Sequence, residues 1–277
     1  MARMGAVPYD GDLLATGGDV TFNGGYIYHT FTESGIFEVN SVAGCEVLIV
    51  AGGGGGGNSY YSGGGGAGGL LQITKAVPPG SYPIIIGAGG VGGNICNTAT
   101  QGGDTTIFDQ VAKGGGFGGG GHSCNTGPSI GGSGGGGATV GNRTGASGII
   151  GQGNSGGNAS EDTHYCAGGG GGAGTPGTVG LTNTTVSNGG EGLNVWGNWY
   201  AAGGAGYSHF GPSVWTNRQN GVGGASVCNQ YNPPDAELEL LNGVINTGSG
   251  GGGYDRRLTS NKAGNGSSGI VIVRYPG

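Results

Sequence analysis

Gly171-Gly172-Ala173-Gly174-Thr175-Pro176-Gly177-Thr178-Val179-Gly180 extends the preceding glycines so that Gly168, Gly171, Gly174, Gly177 and Gly180 fall on one three-residue register. Gly145-Ala146-Ser147-Gly148-Ile149-Ile150-Gly151 keeps the same spacing. Inside an unbroken glycine run such a period is automatic. In these two stretches other residues interrupt, so the period carries information. Three residues per turn is the polyproline II repeat, with a rise of ~3.1 Å per residue. In a bundle of such helices glycine faces the neighbouring chain and the other positions can point outward. Collagen is excluded, because the period breaks repeatedly and the chain has only ten prolines.

The wider composition fits this reading. Glycine accounts for 78 of 277 residues, against an average near 7%. It is concentrated in runs such as Gly52–Gly57, Gly118–Gly121 and Gly250–Gly253. Disordered linkers are rich in charge, yet only 9% of this chain is charged. Twelve Tyr, six Phe and three Trp also exceed what a Gly/Ser tether carries. The chain is therefore expected to order, with backbone packed on backbone and every N–H finding an acceptor.

Ordinary strands flank the glycine. Tyr26–Phe31 and Ile36–Val39, separated by Thr32-Glu33-Ser34-Gly35, read as a hairpin. Cys45–Val50 is an apolar run suited to a central strand, with Cys45 a buried free thiol. Leu70–Val77 and Tyr82–Ile86 read as strands joined by a Pro-Pro-Gly-Ser turn, and Thr105–Phe108 as a short strand. The best helix candidate, Asp235–Asn242, allows two turns. Ile270–Tyr275 is a strand with no partner in the preceding 150 residues or so, so the chain should close back on its own start. The expected fold is an all-β scaffold plus a polyglycine II bundle, with essentially no α-helix. Residues 1–17 form an assembly arm and 18–112 the β-rich scaffold. Residues 113–267 form the glycine-rich bundle, and 268–277 the closing strand.

Several function classes are excluded. A net charge of −6 and the absence of a Lys/Arg cluster leave no footprint for nucleic acid. No run approaches the ~20 apolar residues of a membrane helix, and no signal peptide is visible at the start. The G-x-G-x-x-G matches at Gly52–Gly57 and Gly87–Gly92 lack the helix that a dinucleotide site requires. His122-Ser123-Cys124 and His164-Tyr165-Cys166 sit in glycine-rich text without a rigid base, and no cysteine pair is spaced C-x-x-C. No catalytic, cofactor or metal site is expected, and the chain is not expected to be an enzyme. Cys96, Cys124, Cys166 and Cys228 are candidates for disulfides in an extracellular particle.

The aromatic residues within the glycine text carry the functional signal. Tyr60, Tyr61, Trp196, Trp199, Tyr200, Tyr207, His209, Phe210 and Trp215 lie among Asn and Ser, with no conventional core around them. Rigid aromatics beside small polar residues make recognition surfaces and stack on sugar rings. They equally suit packing at bundle ends or between subunits. Convergence at one exposed end favours recognition; dispersal or burial favours assembly.

Tyr28–Phe37, Val47–Val50 running into glycine, Pro79–Tyr82, Gly87–Gly90 and the terminal Gly269–Tyr275, in that order, resemble the glycine-rich domain of bacteriophage tail-fibre and related virion proteins. The resemblance covers about residues 18–277. The family is similar in turn to tail-tip adhesins built from polyglycine II helices, whose end loops bind the host surface. It implies a non-enzymatic virion component in an oligomeric assembly, in contact with a host glycan or outer-membrane protein. The alternatives are a subunit of a glycine-rich filament or a capsid-decorating protein and, more remotely, an ice-binding protein.

Overall fold

The computed structural model describes residues 14–41, 43–94, 97–121, 126–160, 165–181, 187–208, 222–225, 239–253 and 262–277. The chain is all-β, with several antiparallel sheets and no α-helix among the described residues. Of the helix candidate Asp235–Asn242, the described part holds a single 3-10 turn at 239–241.

The main sheet has five strands. In chain order they are β2 (Asp19–Asn23), β3 (Tyr26–Phe31), β5 (Ala43–Val50), β6 (Leu70–Val77) and β12 (Ile270–Pro276). Across the sheet the order is β2-β3-β12-β5-β6, so the terminal strand lies at the centre. It pairs antiparallel with both neighbours, Val273 opposite His29 on β3 and opposite Val47 on β5. A three-stranded sheet of β1 (Ala15–Thr16), β4 (Gly35–Val39) and β7 (Gly80–Ile84) faces it. Two small hairpins, β8 (Thr105–Ile107) with β9 (Gln110–Ala112) and β10 (Leu193–Val195) with β11 (Asn198–Tyr200), complete the strands.

The hairpin expected over residues 26–39 does not form, and the strands joined by the Pro-Pro-Gly-Ser turn do not pair with each other either. Tyr26–Phe31 and Ile36–Val39 belong to different sheets, as do Leu70–Val77 and the strand that begins at Gly80. Each intervening turn carries the chain across the sandwich instead. The reason is apolar burial on both sides of the chain reversal. Ile27 and Phe31 on β3 meet Phe37 and Val39 on β4 across the layer, not along a ladder.

Alternation sets the two cores. Val47, Ile49, Val271, Val273 and Tyr275 point inward to the second sheet and to Ile107 and Phe108. Leu48, Val50, Ile270 and Ile272 point to the other face, where Ala67, Val195, Tyr200 and Ala201 cover them. β5 and β12 are thus buried on both faces, which is why they read as unbroken apolar runs. His29 is fully buried between the sheets. Its Nδ1–H donates to the Gly17 carbonyl at 2.8 Å, and its Nε2 accepts from the Tyr275 hydroxyl at 2.9 Å. Burial holds its pKa below the usual 6.5, against the opposing effect of the Gly17 bond. Cys45 is a buried free thiol that burial raises to about 11.

From this sandwich the glycine tracts extend side by side as a column, with neighbours running in both directions. The tract 63–69 shows the rule. Gly63, Gly66 and Gly69 donate to Gly119, Gly116 and Lys113, Gly64 and Ala67 to Gly168 and Gly171, and Gly65 and Gly68 to Gly251 and Gly248. Successive N–H groups point to three different neighbours, and every third returns to the same one. The carbonyls of this tract accept from 51–57, 133–136 and Gly204, so six segments surround it. At the six glycines of this tract no room remains for a side chain: a Cβ at Gly65 would overlap the Gly54 carbonyl. Outer tracts need glycine only where they face inward. Gly177 and Gly180 are buried, while Thr178, Val179 and Leu181 are exposed.

The column does not respect the boundary expected at residue 112. Tracts 51–57, 63–69, 86–94 and 97–104 interleave with those from 113–267, and β10–β11 packs back on the main sheet. The three-residue register from Gly168 to Gly180 is also not one helix. Gly172 N–H bonds to the Thr175 carbonyl, and a reverse turn at 173–175 divides it into two tracts. Gly151, with φ +82°, marks a similar turn in the second stretch.

Two outcomes are expected. Gly65→Ala lowers stability by at least about 1–3 kcal/mol, because backbone on every side cannot withdraw. Gly44→Ala, where nothing lies within 4 Å, leaves the denaturation midpoint nearly unchanged. His29 contributes a separate pH dependence. Its folded pKa lies below the unfolded value, so the unfolded state takes up the proton first as pH falls. The stability present above about pH 6.5 is then lost as pH drops towards the folded pKa. Urea midpoints between pH 7 and 5 should fall in the wild type and flatten in His29→Gln.

Candidate functional site

The chain reverses repeatedly at the end of the column remote from the sheets. The tract that leaves β5 at Ala51 reaches Asn58, turns through 59–62, and returns to β6. At ~3.1 Å per residue, seven residues carry this turn about 20 Å from the sheet. Other tract ends gather around it. Gly121 N–H bonds to the Asn58 carbonyl, Thr139 N–H to Tyr61, and Tyr207 N–H to Ser62. Thr126 Oγ1–H donates to Asn58 Oδ1 at 2.9 Å. Cys166 bridges to Ser208, and Asn94 to Lys262.

Four tyrosines meet here. Tyr61 stacks on Tyr165 at 4.8 Å and 26°, lies 5.2 Å from Tyr207 and 5.8 Å from Tyr60. Tyr207 is fully buried, Tyr60 and Tyr61 half-buried, and Tyr165 exposed. Ser59, Tyr61 and Tyr165 all have left-handed backbone, with φ of 63°, 59° and 50°. Such conformations cost about 1–3 kcal/mol each in bulky residues and concentrate at functional sites. Cys166, one of the disulfide candidates, is a buried thiol whose Sγ lies 3.4 Å from Ser208 Oγ. Cys96, Cys124 and Cys228 lie outside the described residues.

A second aromatic group lies at the sheet end. Arg274 on β12 projects from the face opposite the sandwich core. Its guanidinium carbon is 4.4 Å from the Tyr26 ring centre and 4.2 Å from that of Trp196. Its terminal nitrogens donate to Glu46 Oε2 at 2.8 Å and to the Tyr28 hydroxyl at 3.1 Å. Glu46 and Tyr28 stand directly opposite Arg274 on the two neighbouring strands, so register alone brings them together. Burial lowers the Arg274 pKa, but the bonds to Tyr28 and Glu46 outweigh it and the net shift is upward. Trp196 and Gly197 form the two-residue turn of β10–β11, with φ of 51° and 88°.

The expected aromatic residues are therefore divided. Tyr60, Tyr61 and Tyr207 share the far end, joined there by Tyr165. Trp196 and Tyr200 lie against the main sheet, and Trp199, on the other face of the hairpin, is 38% exposed. A tract's length separates the groups. His209, Phe210 and Trp215 lie outside the described residues. Neither Arg274 nor Tyr28 was picked out by sequence reasoning. Alternation does place Tyr26 and Tyr28 on one strand face, but their meeting with Arg274 requires the chain to close on itself.

Among the described residues no three His, Cys, Asp or Glu side chains come together to hold a metal, and no helix is long and apolar enough to cross a membrane. The profile of the glycine-rich domain family matches residues 31–276. No curated protein matches the chain.

Arg274→Lys should lower stability by about 1 kcal/mol, since an ammonium cannot stack between two rings while bonding Glu46 and Tyr28. Chemical denaturation measures this, and an unchanged midpoint would show the planar stack to be without weight.

Proposed function

Since this chain belongs to the glycine-rich domain family, we propose that it is a non-enzymatic, adhesin-like structural component of a bacteriophage virion, at or near a tail-fibre tip. The glycine tracts serve as a polyglycine II bundle that holds recognition loops away from the attachment end. The observation that carries this reading is the gathering of tract ends around Tyr60 and Tyr61, on the side remote from the sheets. The three-residue cycle of hydrogen-bond partners supports the polyglycine II assignment. A column cross-linked in all directions resists bending, so chemistry at its tip is displayed on a rigid support.

The aromatic residues do not converge at one end, and the placement of Trp196, Trp199 and Tyr200 beside the main sheet favours packing or subunit contact for those three. Recognition is proposed for the tyrosine cluster alone. Attachment to neighbouring subunits belongs at the sheet end. Ile150 and Ile245, 99% and 77% exposed, occupy turns there. Apolar side chains so exposed suit a subunit contact.

A labelled protein should bind cells of at least one strain in a bacterial panel. Combining Tyr60→Ser with Tyr61→Asn should weaken that binding about tenfold or more. Asn tolerates the left-handed backbone at position 61, so the fold is retained. No cell binding, together with self-association that the same substitutions disrupt, would replace this reading with a filament subunit or capsid-decorating protein.

A further inference from the structure

Between the outer face of the main sheet and the β10–β11 hairpin lies a cleft of ≈ 270 Å³. Its floor is formed by β2, β3 and β12 and its wall by the hairpin, so it stands at the opposite end of the column from the tyrosine cluster. Tyr28, Trp196 and Tyr200 supply aromatic surface. Thr21, Asn23, Thr30 and Asn198 supply neutral hydrogen-bonding groups.

Tyr200 is the telling residue. It is only 6% exposed, yet its hydroxyl has no hydrogen-bond partner among the described residues. The ring is buried but the hydroxyl oxygen is not, so it opens to the cleft, with the apolar body covered and the polar tip free to bond. It faces a space that a ligand hydroxyl can fill. Trp196 gives a second, independent indication. The first position of such a turn favours Asn, Asp or Gly, and an indole there is held at a cost in backbone strain. Arg274, whose guanidinium lies against Trp196 of the cleft wall, is paired with Glu46 and enclosed between Tyr26 and Trp196.

We propose that this cleft binds a neutral sugar ring. Trp196 and Tyr28 present apolar surface to the ring's C–H face, and Tyr200 with the neighbouring Asn and Thr side chains bonds its hydroxyls. No charged side chain lines the cleft, and the Asp19 carboxylate on the same sheet face, opposite Thr30, disfavours sialylated or phosphorylated sugars. The volume, just under the ~300 Å³ at which drug-sized sites begin, fits a terminal residue of a glycan. The site does not depend on what the far end of the column recognises.

The three tryptophans give three indole N–H signals in an NMR spectrum, and Trp196→Asn identifies the relevant one. Methyl glycosides of glucose, galactose and mannose, and N-acetylglucosamine, are titrated into the intact protein. At least one should shift the Trp196 signal saturably, with Kd on the order of 1 mM. Trp196→Asn creates the favoured Asn-Gly turn, so the hairpin persists while the shift of neighbouring signals is lost. Tyr200→Phe removes a single hydroxyl and should weaken binding about fivefold. The proposal fails if none of the four sugars moves the signal. It fails equally if binding survives both substitutions, if only anionic sugars bind, or if a proline-rich peptide occupies the cleft and the sugars do not.

Discussion

Buried peptide groups must be paired, and in this protein almost nothing but other peptide groups is available to pair them. Each interior tract meets that demand by offering its N–H groups to three neighbours in rotation and accepting from others. The approach this requires leaves no space for a Cβ at most interior positions. Glycine is therefore imposed by the packing, although it is the residue that loses most freedom on ordering. Hydrogen bonds at roughly 0.5–1.5 kcal/mol each and many close dispersion contacts oppose that loss. The hydrophobic effect contributes little inside the column itself.

The sandwich supplies what the column lacks. β5 and β6 pair from Ala43–Val77 to Val50–Leu70, and the pairing continues into glycine. Ala51, Gly54 and Gly57 bond to Gly69, Gly66 and Gly63. Only every third residue keeps the old neighbour, because the chain has passed from a two-residue to a three-residue repeat. The bonds left over recruit tracts 100–103 and 264–267. Apolar burial in the sheet thus sets the register that the first tracts inherit and hand on. β12, inserted between β3 and β5, ties the last tract to the same base.

Strain is placed at the ends of this framework, not within it. Tyr61 and Tyr165 at the tip and Trp196 beside the cleft all adopt left-handed backbone. Each is a bulky aromatic where a smaller residue would be relaxed. Rigid tracts on either side hold these turns in place. The result is one aromatic cluster at each end of the column, with different chemistry: phenols stacked together at one, and an indole, a caged guanidinium and neutral amides at the other.

Much of this was legible in the residues. The apolar runs at Cys45–Val50 and Ile270–Tyr275 mark strands buried on both faces, and the three-residue glycine spacing marks the inward side of outer tracts such as Gly177 and Gly180. What was not legible is which tract lies beside which, where the register from Gly168 reverses, and why strands joined by short turns separate into two sheets. Arg274 meets Tyr26, Tyr28 and Trp196 only after the chain ends join. The sequence by itself determined where side chains are absent and where apolar strands must be buried. Glycine has no side chain with which to specify a partner, so neighbour choice, and with it the separation of the aromatic groups, was decided only by tertiary structure.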